Sequence, residues 1–135
     1  MTERVLDASV ILAYLQQEPG ADRVESILLA HPCLLCAVNL TEALTRLADW
    51  KVPLALAEQH IMGLEVAIVP FDHTLACQAA ELRLPTRALG LSLGDRACLA
   101  LAKARGAVAV TADRAWMKLD AGIGATIECI RGETQ

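Results

Sequence analysis

The chain has 135 residues, enough to bury a real core, and is expected to form one domain over residues 1–135. Its formal net charge of −4 argues against a general polybasic nucleic-acid binder, although acids gathered at a metal site would have their charge cancelled locally. Hydrophobic content of 55% and mean hydropathy +0.41 are high, yet no apolar run approaches membrane-spanning length and MTERVLDAS does not read as a signal peptide. A parallel sheet covered on both faces, with a subunit or partner interface, accounts for the excess apolar surface.

Strand-like and helix-like segments alternate, which predicts an α/β fold with a central parallel sheet. Arg4 to Asp7 reads as the first strand. Ser9 is the expected N-cap of a helix through about Gln17, ended by Pro19-Gly20. A helix from about Ala21 to Ala30 stops at His31-Pro32, and Cys33 to Ala37 reads as strand two. Leu40, Ala43, Leu44 and Leu47 share one face of a helix from about Asn39 to Trp50. Pro53 opens another helix, and Glu65 to Pro70 is strand three. A long helix from about His73 to Leu84 is interrupted by Pro85, with Gly90 ending the region. Ser92 caps a helix to Arg105, which Gly106 stops. Ala107 to Thr111 is strand four, a short helix runs through Lys118, and Thr126 to Ile130 is the last strand.

Five cysteines, an odd number with no secretion signal, read as reduced thiols in a cytoplasm. Cys33-Leu-Leu-Cys36 matches C-x-x-C, but residues three apart in a strand face opposite ways and do not readily chelate one ion. Buried thiols are expected there, and Cys77, Cys98 and Cys129 are expected in helix or strand cores. Only four aromatics are present (Tyr14, Trp50, Phe71 and Trp116), too few for a base-stacking platform. His31, His60 and His73 lack a pairing motif and read as solvated or structural.

Four acids stand where elements open or close inside apolar stretches. They are Asp7 in VLDAS, Glu42 in VNLTEAL, Asp95 in LSLGDRACLALA and Asp113 in VTADRAW. Ligands bind open parallel sheets at the carboxyl ends of the strands, where strand order reverses. If strands one and four are neighbours, all four acids fall on that rim. Each has a structural explanation as well. Glu42 and Asp95 sit in first helical turns, where the macrodipole favours an acid, and Asp113 suits a turn or cap. Asp7, at a strand end where burial is expected, is the hardest to explain that way. Converging carboxylates raise one another's pKa unless a cation lies between them. A hard ion with oxygen ligands, Mg²⁺ or Mn²⁺, is the natural compensation and points to a metal-dependent enzyme acting on phosphate.

Four segments, VLDASVILAYL, AVNLTEALTRL, GLSLGDRACLALA and TADRAW, in this order and spacing, resemble the PIN domain family, and within it the VapC-type toxins of type II toxin–antitoxin pairs. The resemblance covers nearly the whole chain. It implies a PIN-like three-layer α/β/α fold, with about five short parallel strands flanked by helices. It also implies metal ligation by Asp7, Glu42, Asp95 and Asp113, with Asn39, Ser9 and Thr111 as polar groups beside them. The implied activity is endoribonuclease cleavage of single-stranded or loop RNA, a tRNA or ribosomal RNA loop, by metal-activated water. Such cleavage leaves 5′-phosphate and 3′-hydroxyl ends. Implied partners are a cognate antitoxin lying across the acidic groove and a second copy in a homodimer, with DNA reached only through the antitoxin and no membrane.

Arg46, one turn after Glu42, is a candidate to contact RNA phosphate or to pair with Glu42. Arg96 and Arg114 directly follow proposed ligands and are further candidates for RNA contact, a solvated surface arginine being the commoner case for all three. One or two metal ions are both compatible with the residues. Two other functions are alternatives. One is a PIN nuclease that processes RNA without an antitoxin. The other, a receiver-type phosphoacceptor domain, needs paired acids after strand one and a lysine after the last strand, where this chain has Asp7 alone and Arg131.

Overall fold

The computed structural model describes residues 2–131. Five parallel strands form one sheet: β1 (Arg4–Leu6), β2 (Cys33–Cys36), β3 (Ala67–Val69), β4 (Val108–Thr111) and β5 (Thr126–Cys129), in the order β3-β2-β1-β4-β5. Helices α1 (Ala8–Leu15), α2 (Ala21–Ala30), α3 (Ala37–Asp49) and α4 (Leu54–Met62) lie in the first half, and α5 (His73–Glu81), α6 (Arg83–Thr86) and α7 (Leu93–Arg105) in the second. The fold is therefore the three-layer α/β/α arrangement expected. Among the described residues no helix is long and apolar enough to cross a membrane.

Strand periodicity divides the core in two. Val5, Leu34, Cys36 and Ala109 pack on one face with Leu75 and Ala79 of α5, Leu99 of α7 and the fully buried Trp116. Leu6, Cys33, Leu35 and Val110 pack on the other with Val10 of α1, Val24 of α2, Leu47 of α3 and Ile61 of α4. Successive strand residues face opposite ways, so Cys33 and Cys36 end up on different faces and are free thiols.

Strand order reverses beside β1: β2 and β3 extend on one side, β4 and β5 on the other. Leu6 pairs with Val110, and the Asp7 amide continues the ladder by donating to the Val110 carbonyl at 2.9 Å. The carboxyl ends of β1 and β4 thus lie side by side at the switch point. Helix α7 begins at this rim behind Ser92 and is buried on every side from Ala97 to Ala102. Gly106, at φ +61°, adopts the left-handed conformation that ends α7 and lets the chain turn into β4.

Several boundaries differ from those expected. Helix α1 starts at Ala8 with Asp7 in the cap position, so Ser9 is not the N-cap; its hydroxyl is used elsewhere. The helix ends at Leu15, because Gln17 takes a left-handed φ of 54° ahead of Pro19. Helix α3 starts at Ala37 rather than Asn39, behind Cys36, which makes no side-chain cap. Glu42 is therefore beyond the first turn, and the macrodipole no longer explains it. Pro85 does not break a long helix: α5 stops at Glu81, and Pro85 is the third residue of α6. An amide there has no intrahelical acceptor to lose. Cys77 is exposed rather than in a core.

Candidate metal centre at the switch point

Asp7 leaves the end of β1 with only 5% of its surface exposed. Two hydroxyls hold its Oδ2: Ser9 donates at 2.7 Å and Thr111, at the end of β4, at 3.2 Å. Each hydroxyl also accepts a backbone N–H from the segment after β4, Ser9 from Ala112 at 3.0 Å and Thr111 from Asp113 at 3.1 Å. These four bonds fix the carboxylate where the neighbouring ends of β1 and β4 lie side by side.

Helix α3 supplies Asn39 and Glu42, one turn apart on the same stripe. Asn39 is fully buried, and its Nδ2 donates to the Gly94 carbonyl at 3.0 Å, Glu42 Oε1 at 3.3 Å and Asp7 Oδ1 at 3.5 Å. Three surrounding acceptors fix which end of the amide points inward. The opposite end, Oδ1, is buried without a protein partner. Glu42 is exposed along its length, but its carboxylate folds inward over Gly94.

Asp95 enters from the first turn of α7 and completes a capping box: its Oδ2 accepts from the Ser92 amide at 2.9 Å and its own amide donates to Ser92 Oγ at 3.2 Å. Such a cap contributes about 1 kcal/mol to the helix. It explains why an acid suits position 95, but not why that acid faces Asp7.

The three acids are near enough for their charges to act on one another. Burial pushes Asp7 up to about 6; Ser9 opposes the rise, the charges of Asp95 and Glu42 add to it, and Thr111 opposes it. Burial, then Asp95, raise Glu42, while Asn39 pulls it down. None of the ion pairs between Lys or Arg and an acid found among the described residues includes Asp7, Glu42 or Asp95.

Asp113 stands apart. It is exposed, and its Oδ1 accepts from the Ala115 amide at 2.9 Å, capping the short helical turn Arg114–Lys118. The structure therefore gathers Asp7, Glu42 and Asp95 and leaves the Asp113 carboxylate turned onto its own backbone at the same rim. Among the described residues no group of three or more His, Cys, Asp or Glu side chains stands close enough together to hold a metal ion. Bare carboxylates repel one another, and a cation between them would draw them in. A buried Asp7 with two further carboxylates beside it, none of them ion-paired to a lysine or arginine among the described residues, is an all-oxygen donor set that suits a hard divalent ion.

The arginines differ in placement. Arg46 is exposed, makes no ion pair with Glu42, and lines a shallow cleft with Ser9, Trp50 and Arg131. Arg114 and Arg131 line a neighbouring cleft with Ser9 and Asp113. Arg96 is turned away onto α5, where Nη1 donates to the Ala79 carbonyl at 3.1 Å. Arg131 carries no motif that marks it as a site residue in the sequence; its place after the last strand puts it in both clefts. It is held by Glu18 and the Pro19 carbonyl, both at 3.0 Å. A larger hollow of about 630 Å³ lies at the far end of α7, beside Lys103 and Asp120, and shares no residue with the acids.

The metal-free protein should lose stability as pH rises. Asp7 is neutral in the fold below about 6 but ionises near 3.8 when exposed. Its favourable contribution is full below 3.8 and lost as pH climbs through about 6, at a cost on the order of 3 kcal/mol. Denaturant unfolding in chelator between pH 4 and pH 8 should show this fall. A curve of the same shape in Asp7→Asn would assign it to another group.

A parallel α/β sheet thus carries a buried Asp7, with Glu42 and Asp95 beside it, at the switch point where open sheets of this kind bind ligands. The model of the PIN domain family matches residues 4–122, and the chain belongs to that family. Among solved structures, the fold is similar to that of FitAcB from Neisseria gonorrhoeae, at 23% identity over 94% of this chain and 97% of that one, with TM-score 0.71. It is also similar to VapBC-5 from Mycobacterium tuberculosis, described as a member of the VapBC family of toxin-antitoxin systems, at 24% identity over 98% and 100% of the two chains, with TM-score 0.59. A toxin-antitoxin complex from Klebsiella pneumoniae shares 13% identity over 95% and 98%, with TM-score 0.71. No curated protein matches the sequence.

Proposed function

We propose that the chain is a Mg²⁺- or Mn²⁺-dependent endoribonuclease acting as the toxin of a toxin–antitoxin pair, and that it hydrolyses RNA to leave 5′-phosphate and 3′-hydroxyl ends. The observation that carries this is the buried Asp7 carboxylate facing Glu42 and Asp95 at the switch point of a PIN-domain sheet, with no lysine or arginine paired to it among the described residues. Likeness to the toxin-antitoxin structures supports the pairing with an antitoxin.

In this reading Asp7, Glu42 and Asp95 would hold the ion, and Asp113, at the same rim, would be the fourth carboxylate available to it. When bound, the ion supplies activation of a water nucleophile and neutralisation of charge building on the phosphate. Ser9 and Thr111 fix which Asp7 oxygen faces the site, and Asn39 steers both Asp7 and Glu42. Arg46, Arg114 and Arg131 stand on the shoulders of the acidic centre, where guanidinium groups attract the flanking phosphates of a single strand. The antitoxin covers this groove, the active unit is a homodimer, and the protein works in the cytoplasm.

The experiment is expression of the chain without a partner, followed by mapping of new RNA 5′ ends. A discrete set of cuts in one tRNA or ribosomal RNA is expected. Unchanged growth with no new ends would count against a toxin. A housekeeping nuclease is separated by a cheap observation: it would lack a small upstream reading frame with a DNA-binding N-terminus.

A further inference from the structure

Resting on the assignment of Glu42 as a metal ligand, we propose that Gly94 is a positioning residue: its missing side chain is the seat of the Glu42 carboxylate. Gly94 is buried in the first turn of α7, next to Asp95. Its backbone does not demand glycine, since its φ lies outside the left-handed region. On helix propensity alone, alanine would be the better residue there. What excludes a side chain is one neighbour. A Cβ built at this position overlaps Oε1, Cδ and Oε2 of Glu42, and these are the three nearest atoms it meets.

The backbone of Gly94 completes the seat. Its carbonyl accepts from Asn39 Nδ2 at 3.0 Å, and the same nitrogen donates to Glu42 Oε1 at 3.3 Å. One residue of α7 thus leaves the space for the carboxylate and also anchors the amide that aims it. The displaced group in a Gly94→Ala variant is the free end of a long side chain, which swings aside at little cost to the fold. In doing so it leaves Asp7 and Asp95.

The test is a double-mutant cycle on Mn²⁺ binding to the purified chain, measured by calorimetry, with metal-free unfolding midpoints alongside. Gly94→Ala is expected to weaken Mn²⁺ binding about 10- to 100-fold, the range seen when a group orienting a ligand is lost, with an unfolding midpoint equal to or above wild type. In a Glu42→Ala background, adding Gly94→Ala should change affinity by no more than about twofold, because the group it displaces is gone. Two results overturn the inference while leaving Glu42 a ligand: wild-type affinity in Gly94→Ala when Glu42→Ala is impaired, or the same loss from Gly94→Ala in both backgrounds. Wild-type affinity in Glu42→Ala removes the ligand assignment itself, and the role of Gly94 with it.

Discussion

Asp7→Asn and Asp95→Asn are each expected to lower RNA cleavage by at least about 10³-fold, a loss of about 4 kcal/mol in transition-state stabilisation. Neither should unfold the protein. In Asp7→Asn the introduced carbonyl still accepts from Ser9 and Thr111, and above pH 6 the fold no longer carries a buried charge facing Asp95 and Glu42. The metal-free variant should therefore be as stable as wild type or more so, although its new amide meets the Asn39 amide. That contact is the longest of the three Asn39 makes, at 3.5 Å. In Asp95→Asn the side chain still accepts from the Ser92 amide, so the capping box survives. Loss of activity with a retained fold separates a ligand from a structural acid. Cleavage near the wild-type rate with Mg²⁺ present would remove that residue from the centre.

Removing the metal should have an equally large effect. Exhaustive dialysis against EDTA is expected to abolish cleavage, and Mg²⁺ or Mn²⁺ to restore it. Ca²⁺ should bind, as Mn²⁺-competition calorimetry would show, without supporting turnover, since its longer and looser coordination activates water poorly. The physical basis lies in this chain: burial raises Asp7 and Glu42, the charge of Asp95 adds to both, and no ion pair found among the described residues includes any of the three acids. Residual activity in excess EDTA would mean that these acids serve another chemistry.

Much of this centre was legible in the sequence because it stands at element boundaries. VLDAS places an acid after a strand, and Ser92 reads as the cap of the helix that carries Asp95, as it is in the fold. Strand and helix alternation gave the parallel sheet, and with it the rim where β1 and β4 end. Other features were hidden by competing local signals. Asn39 looks like a helix start, but its amide is used across α3, β1 and α7, and the helix begins earlier behind Cys36, which carries no capping signal. Ser9 looks like a cap, yet its hydroxyl is taken by Asp7. Arg96 follows a site acid, and helical geometry turns it onto α5. Gly94 reads as an ordinary weak helix residue; only the approach of α3 in three dimensions shows what its bare backbone admits.

The central claim, hydrolysis by water at a carboxylate-held metal, is tested most directly by product chemistry on an RNA carrying one 2′-deoxy nucleotide immediately 5′ to the scissile phosphate. Metal-independent ribonucleases use the adjacent 2′-hydroxyl as nucleophile and leave cyclic or 3′-phosphate ends. Here that hydroxyl takes no part in bond making, and preference for RNA rests on shape and 2′-hydroxyl contacts. The modified strand should be cut at the same phosphate, slowed by less than about tenfold, with 5′-phosphate and 3′-hydroxyl ends on both substrates. Complete resistance of the modified strand, together with cyclic phosphate on the unmodified one, would contradict the metal-hydrolysis account.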